Sequence, residues 1–376
     1  MGGIRDHVGG GFHRYSVDRF WQIPHFEKML YDNGQLASVY AETYALTGRK
    51  DFRRVVEEML EFVLREMTGK NGEFYSALDA DSEHEEGKFY RWEKQEVAKV
   101  LTKDEFQLFA DIYGLNVKPN FEEKFYAPQF DKPLHEIAAA RKTTEDALAL
   151  QLRPIRKKLF DVRAKRVRPL TDTKILTSWN GLMIRGFADA GRLLENERYV
   201  DAAKKAADFV LDKLRTKDGR LLRTYGEGHA KLNAYLNDYA FLINGLIALH
   251  QATAEKKWLT SAEQLMTKQI ELFWDDARGG FYFTSADHES LIARSKTFTD
   301  GAQPSGISVS AENLVLLSQA LKNADYLQRA EKTMQSAAQL LERSPAGATR
   351  MIVAVSLLVE AKEKEPEGGD PEKSKQ

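Results

Sequence analysis

The chain has 376 residues, with 55 basic and 56 acidic side chains, a formal net charge of -1 and no cysteine. This balance gives no electrostatic reason to bind nucleic acid or an anionic membrane. The lack of cysteine excludes disulfides, thiol nucleophiles and cysteine-bound metals formed by this chain. No apolar run reaches the roughly 20 residues of a bilayer span, and the first residues lack the order of a secretory signal. We therefore expect a cytoplasmic protein without a membrane partner.

The spacing of the apolar residues predicts an all-α protein built from repeated pairs of helices. Several pairs are followed by a loop that joins glycine to aromatic residues, always at the same end. Such repetition is typical of a solenoid or of a closed ring of helical hairpins. The predicted pairs lie at 26–44 with 52–63, 179–194 with 199–214, 239–247 with 258–273 and 314–321 with 326–341, and a last helix lies at 351–359.

Three stretches depart from this helical pattern. The glycines at 9–11 lack the spacing of a phosphate-binding loop and predict a tight turn. The segment from Leu115 to Thr143 is the least regular part of the chain. Residues 363–376 are rich in Glu, Lys, Pro and Gly, which predicts a disordered tail.

The densest run of polar and aromatic residues precedes the first predicted helix. Pro24 suits the first position of a helix. One face of that helix would carry His25, Lys28 and Asp32, and another face would carry Glu27 and Tyr31. A histidine near a carboxylate can act as a proton-transfer pair, because the acid tunes the imidazole near neutral pH. The alternative is a capping and salt-bridge cluster at a helix start. Since no histidine has HExxH spacing, we predict no metal site and no cofactor.

A second group combines acidic and aromatic residues after the second predicted helix, at Tyr75, Asp79 and Asp81. Carboxylates between aromatic rings suit sugar chemistry, although a solvated acidic loop is the simpler alternative. The Asp-x-Asp spacing also resembles the start of a calcium loop whose remainder is missing. Polar residues stand before or within the first turn of the later inner helices and would converge in a closed barrel: Trp179, Asn180, Asp238, Tyr239, Asp300 and Ser305. A core position is the alternative for Trp179.

Five runs of sequence resemble the spermatogenesis-associated, thioredoxin-domain-containing proteins and their bacterial relatives. The resemblance spans roughly residues 2–359, and its longest run is the most specific. The runs are Gly10–Ser16, Pro24–Asn33, Phe74–Ala77, Ser178–Leu182 and Asp238–Ala240. The resemblance implies an N-terminal thioredoxin-like domain followed by an (α/α)6 barrel of the six-hairpin glycosidase type. Such a barrel is similar to N-acylglucosamine 2-epimerases and related sugar isomerases.

The resemblance further implies that this chain carries the barrel without the thioredoxin-like domain. Since the chain begins after the family's first helix pair, we expect an (α/α)6-type toroid over residues 1–362 that lacks its first hairpin. By similarity to sugar epimerases, His25 or His13 would move a proton next to a carbonyl group. Basic side chains would hold carbonyl or anionic oxygens, and carboxylates would orient hydroxyls or histidine. The basic side chains are Arg14 and Lys28, and the carboxylates are Asp32, Asp79, Asp81 and Asp238.

Three functions are compatible with these residues. The expected partner of the chain is a small molecule of saccharide type, with no nucleic acid. The first is a sugar epimerase or isomerase with proton transfer in the barrel cleft. The second is hydrolysis by two carboxylates among Asp79, Asp81 and Asp238. The third is a non-catalytic barrel that binds a ligand or partner beside a thioredoxin-like module. For the first, the predicted catalytic residues are His25, His13, Asp81 and Asp238, and the predicted binding residues are Arg14, Glu27, Lys28, Tyr31, Asp32, Tyr75, Asp79, Trp179, Asn180, Tyr239, Asp300 and Ser305.

Overall fold

The computed structural model describes residues 2–288 and 293–364, which form fourteen α-helices linked by short strands. Glu363 and Lys364 belong to the last helix, and the rest of the predicted tail lies outside the described residues. The helices are α1 (Leu30–Thr47), α2 (Lys50–Glu66), α3 (Lys94–Val100), α4 (Lys103–Tyr113), α5 (Leu134–Ala140), α6 (Glu145–Arg163), α7 (Thr177–Leu193), α8 (Glu197–Lys213), α9 (Leu236–Thr253), α10 (Lys256–Phe273), α11 (Gly306–Leu321), α12 (Ala324–Ser336), α13 (Ala338–Arg343) and α14 (Thr349–Lys364).

The chain divides into two compact units, of which the first holds residues 2–175 and 186–206 and the second residues 176–185 and 207–364. Helices α7 and α8 contribute residues to both. In the first unit α1 packs against α2, while in the second α9 packs against α10 and α11, and α11 also against α12 and α14. The predicted all-α class and these helix pairs are confirmed.

The two helices of a pair differ in how much of their surface is buried. Helix α10 buries one face, which includes Trp258, Leu265 and Phe273, and leaves the other face accessible. Helix α9 instead buries twelve consecutive residues from Asp238 to Leu249, so it is covered on all sides. This contrast is typical of one outer and one inner helix in each pair.

Two glycines allow the backbones of α7 and α9 to touch within the second unit. A Cβ atom at Gly181 would lie 2.5 Å from the backbone nitrogen of Leu242, and one at Gly245 would lie 2.6 Å from the carbonyl oxygen of Gly181. No larger side chain fits without moving a helix.

Helices α3, α4 and α6 were not predicted from the sequence. They share a separate hydrophobic core in the first unit that includes Trp92, Phe109 and Leu152. The segment predicted to be irregular, residues 115–143, contains only the short helix α5. The predicted helix at 326–341 is divided, because α12 ends at Ser336 and α13 begins at Ala338.

The strands are short and lie mainly between the helices. In the first unit β1 (Tyr15–Ser16) pairs with β2 (Pro24–His25), and β4 (Ala77–Leu78) lies between β3 (Lys28–Met29) and β7 (Thr171–Asp172). Strand β5 (Asp81–Ser82) pairs with β6 (Glu85–Glu86), and β9 (Leu222–Gly226) pairs with β10 (His229–Asn233). Strand β8 comprises Ile175–Leu176. The predicted helix start at Pro24 is therefore wrong, since the first helix begins at Leu30.

The predicted tight turn at the glycine run is confirmed, since Gly10 and Gly11 both have positive φ angles, of 82° and 79°. In the described parts of the chain, no helix combines the length and the apolar composition needed to cross a membrane.

Candidate functional site

The segment that leads into α1 alternates accessible and buried side chains. His25 and Glu27 have side chains that are 25% and 27% exposed, whereas Phe26 and Lys28 are both 1% exposed. This period of two is the signature of extended backbone, in which successive side chains point to opposite sides. The segment therefore supplies one accessible and one buried group of polar residues.

The group on the accessible side, here called the His25 cluster, consists of His25, Glu27 and Arg14, the partly buried Asp32 and the buried Tyr31. The Nδ1 atom of His25 lies 3.4 Å from Oε2 of Glu27. Arg14 donates from Nη1 to the same Oε2 at 2.9 Å and from Nε to the Tyr31 hydroxyl at 3.1 Å. The structure thus places His25 beside a carboxylate that is hydrogen-bonded to a guanidinium, and the guanidinium to a phenol. Such groups can move a proton and hold an anionic oxygen.

Asp32 is the member of this cluster with the most perturbed acidity. Its pKa rises to about 7 because burial disfavours the charged form; Arg14 opposes this rise and Glu27 adds to it. The Oδ2 atom of Asp32 is buried without a hydrogen-bond partner. A carboxyl group in this state holds a proton near neutral pH and can donate it.

Replacing Asp32 by asparagine should change how stability depends on pH. Because the folded-state pKa of Asp32 is raised, wild-type stability is fully present below about pH 4 and falls as pH rises towards 7. The variant lacks this loss, so its free energy of unfolding relative to wild type should improve between pH 4 and 7 by roughly 2–4 kcal/mol. Urea unfolding at several pH values measures this difference. Exposed Asp79→Asn is the control, and parallel curves for wild type and Asp32→Asn would contradict the prediction.

The buried group, here called the Asp6 cluster, contains Asp6, Lys28 and Arg163. Lys28 donates from Nζ to Oδ2 of Asp6 at 2.8 Å, and Arg163 donates from both terminal nitrogens to the two carboxylate oxygens at 2.9 and 2.8 Å. Burial lowers the pKa of Lys28 to about 8, and Asp6 opposes that shift. The structure therefore places Lys28 in an internal ion pair, on the opposite side of the segment from His25.

His13 lies beside the Asp6 cluster rather than in the His25 cluster. It is 4% exposed, and its Nδ1 makes a 2.9 Å hydrogen bond with the carbonyl oxygen of Phe26. Burial lowers the pKa of His13 to about 3, and the charge of Lys28 lowers it further. His13 is therefore neutral at physiological pH and packed among side chains.

The acidic loop reaches His25 through Glu86, which is not among the predicted site residues. Asp79 and Asp81 are exposed, and Oδ1 of Asp79 accepts a hydrogen bond from the Asp81 backbone at 3.1 Å. Across β5 and β6, Asp81 pairs with Glu86, whose Oε1 lies 3.9 Å from Nε2 of His25. Glu86 could have been suspected because it belongs to the same acidic run. Tyr75 is partly buried two residues before β4.

In the second unit, the predicted site residues near α7 and α9 mostly bind backbone groups. Asp238 is fully buried, and its Oδ1 and Oδ2 accept from the backbone nitrogens of Ser178 and Tyr235 at 3.0 and 2.9 Å. Burial raises the pKa of Asp238, although Arg223 opposes the shift. Tyr239 accepts from the backbone of Leu221 at 2.8 Å. Asp238 thus connects the first turn of α7 to the start of α9.

The remaining predicted residues of this unit also stand at helix starts. Trp179 is partly buried, and Asn180 is buried and donates to the carbonyl oxygen of Leu176 at 3.1 Å. Asp300 accepts from the backbone nitrogen of Ser305 at 2.8 Å. Ser305 in turn accepts from the first backbone N–H groups of α11 as its N-cap. These contacts fix helix ends.

Sequence reasoning missed a polar network inside the second unit. Glu312 is 3% exposed and contacts Arg185 at 3.3 Å and Arg350 at 2.5 Å. Arg185 also donates to Asn244 at 2.6 Å, and Asn244 donates to Asn313 at 2.7 Å. Polar residues in the otherwise apolar helices α9 and α11 were the available signal. Within residues 2–288 and 293–364, no group of three His, Asp or Glu side chains is arranged to hold a metal ion.

The chain resembles curated proteins along most of its length. It is 36% identical over 390 residues to human spermatogenesis-associated protein 20, covering 94% of this chain and 50% of the human protein. The rat protein of the same name is 36% identical over 389 residues, covering 94% and 49%. The chain therefore spans about half the length of the curated relatives it matches. No protein-family model matches it.

Solved structures of low identity share the fold. Cellobiose 2-epimerase from Bacillus thermoamylovorans superposes with a TM-score of 0.56 at 10% identity, covering 95% of this chain and 81% of the epimerase. The corresponding enzyme from Spirochaeta thermophila gives 0.55 at 10% identity, covering 90% and 66%. A family 76 α-mannanase from Bacteroides thetaiotaomicron gives 0.50 at 13%, covering 89% and 70%. The fold is thus of the (α/α)6 toroid type found in sugar epimerases and six-hairpin glycosidases. Over about half of their length, the spermatogenesis-associated protein 20 sequences are thus similar to almost the whole of this chain.

Proposed function

We propose that this chain is a sugar epimerase or isomerase that moves a proton at the His25 cluster. The observation that carries the proposal is a partly exposed histidine with a carboxylate near each ring nitrogen, Glu27 at 3.4 Å and Glu86 at 3.9 Å. A carboxylate beside each ring nitrogen can orient an imidazole that accepts a proton. The shared fold with cellobiose 2-epimerases supports a saccharide as the substrate.

Each member of the cluster has a role in this reaction. His25 takes the proton from the carbon next to the substrate's carbonyl group. Arg14, which is 43% exposed, stabilises the negative charge that develops on the carbonyl oxygen. The protonated carboxyl group of Asp32 returns a proton to the opposite face of the same carbon. His25 then releases its proton to solvent and Asp32 takes one up, which regenerates both groups. Within the proposal His13 has no part, because it is buried and neutral.

Replacing His25 by asparagine should abolish exchange of the substrate's C2 hydrogen with solvent. We expect wild type in heavy water to incorporate deuterium at C2 of cellobiose, N-acetylglucosamine or mannose, and His25→Asn to lower the rate at least about 100-fold, the usual contribution of a general base. Proton nuclear magnetic resonance measures both deuterium and new isomers. His229→Asn, an exposed histidine of the second unit, is the matched control.

The same experiment separates the alternatives. Undiminished exchange in His25→Asn would refute the assignment of the base. Cleavage of cellobiose without exchange would instead favour hydrolysis by carboxylates such as Asp79 and Asp81. Saccharide binding with neither exchange nor cleavage would favour a non-catalytic binding protein.

A further inference from the structure

The hairpin formed by β1, β2 and the loop between them displays the exposed aromatic side chains of the first unit in one short stretch. Tyr15, Phe20 and Trp21 are 45%, 64% and 57% exposed. Every other Phe, Tyr or Trp in the described parts of the chain is buried or partly buried. Single exposed apolar residues are ordinary, but three within seven residues form a patch that marks an interaction site. We call residues 17–23 the aromatic loop.

The aromatic loop is held in one conformation by its own polar groups. The Asp18 carboxylate accepts from the backbone nitrogens of Phe20 at 2.6 Å, Gln22 at 3.0 Å and Ile23 at 2.6 Å. The backbone of Val17 donates to that of Ile23 at 2.9 Å and continues the hairpin. A loop fixed in this way presents its rings without an ordering cost upon binding.

The backbone at Trp21 is strained and supported from outside the loop. Its φ angle of 61° lies in the left-handed region that few non-glycine residues adopt. Gly3 donates to the Trp21 carbonyl oxygen at 2.7 Å, and a Cβ atom at Gly2 would lie 2.0 Å from that oxygen. These contacts with the N-terminal residues hold the backbone of Trp21 in this conformation.

The aromatic loop is continuous with the His25 cluster. Tyr15 and His25 are cross-strand partners, and their rings stack 4.8 Å apart at 9°. Trp21 precedes His25 by four positions, so their Cα atoms are at most about 14 Å apart. That span is comparable to a short oligosaccharide with one ring at His25.

We infer that the aromatic loop is a saccharide subsite in which Trp21 and Phe20 stack on a sugar ring beyond the ring that reacts at His25. The inference rests on the proposed function and narrows its substrate to oligosaccharides. The faces of sugar rings carry C–H groups that match the negative faces of aromatic rings. The guanidinium of Arg19, 4.7 Å from the centre of the Phe20 ring, adds hydrogen-bond donors beside them.

Two other occupants fit the loop less well. A stable protein interface buries about 800 Å² on each partner, which is more than three side chains supply. A membrane surface would favour several basic residues beside the aromatic ones, whereas the loop carries Arg19 together with Asp18.

The test compares affinities for sugars of increasing length. Glucose, cellobiose and cellotriose are titrated by calorimetry, alongside mannose and its α-1,6-linked di- and trisaccharides. In one of the two series we expect wild type to bind the trisaccharide at least about tenfold more tightly than the monosaccharide. The double variant Phe20→Ala, Trp21→Ala should reduce this gain to less than about twofold, while Trp21→Phe retains most of it. Leu46→Ala, which alters an 86% exposed side chain elsewhere in the first unit, is the control.

Two results would overturn the subsite. One is the absence of any length-dependent affinity in wild type, and the other is an unchanged gain in a double variant with a native circular dichroism spectrum. The deuterium assay keeps this failure apart from failure of the proposed function. If affinity depends on sugar length but no exchange occurs at C2, the epimerase proposal is rejected and the subsite is retained. If exchange occurs but the double variant keeps the full gain in affinity, the subsite is rejected and the epimerase proposal is retained.

Discussion

Replacing Asp6 by asparagine should lower the free energy of unfolding by about 3–5 kcal/mol. The substitution leaves Lys28 and Arg163 without their shared anion, although their side chains are only 1% and 3% exposed. Two uncompensated cations in a site from which water is excluded are far more costly than the loss of an exposed ion pair. Urea unfolding followed by circular dichroism measures the change.

The loss should also depend on pH. Burial opposes ionisation of Asp6, but the charges of Arg163 and Lys28 outweigh it and hold its pKa well below the ordinary value. The stability supplied by Asp6 is therefore present above about pH 4 and is lost as pH falls through the lowered pKa. Asp81→Asn, an exposed site, should change stability by less than about 0.5 kcal/mol. A loss below about 1 kcal/mol in Asp6→Asn would show that the cluster is less enclosed than described.

Replacing Asp238 by alanine should lower the free energy of unfolding by about 2–4 kcal/mol. Both carboxylate oxygens accept backbone N–H groups, a buried one from Ser178 and a partly buried one from Tyr235. Each buried donor left without a partner costs about 1–3 kcal/mol. Asparagine has a single acceptor oxygen, so Asp238→Asn should lose about half as much. Chemical unfolding measures both variants.

Asp276→Ala is the control for Asp238, since Asp276 is exposed in the same unit. A variant Asp238→Ala with unchanged stability and no sugar turnover would return Asp238 to the catalytic role predicted from the sequence. Reduced stability with turnover retained in the folded fraction would assign it to the connection of α7 with α9.

The helix pairs could be predicted because their information is local. An apolar face with a period of 3.6 residues identifies α2, and a nearly continuous apolar run identifies α9. The helices α3, α4 and α6 follow the same rules, but their apolar residues serve a separate core around Trp92. The repeat of helix pairs gave no reason to expect that core.

The sequence grouped only some of the residues that lie together in the candidate site, and the reason lies at Pro24. Proline suits the first turn of a helix but equally suits a short edge strand. The helical reading grouped His25 with Lys28, whereas the strand separates them and groups His25 with Glu27. The burial of Lys28 in an ion pair depends on Asp6 and Arg163. Since both are distant from it in sequence, no local pattern could reveal this pairing.

Side chains alternate between the two sides of the segment from His25 to Lys28. The number of residues in this segment is therefore more strongly constrained than their identity. Most substitutions alter one side of it, but the gain or loss of a single residue exchanges the two sides. The imidazole would then face the interior, and the Lys28 ammonium group would leave its carboxylate for water. An insertion here would thus disable the accessible site and the internal ion pair together, although neither set of side chains had changed in identity.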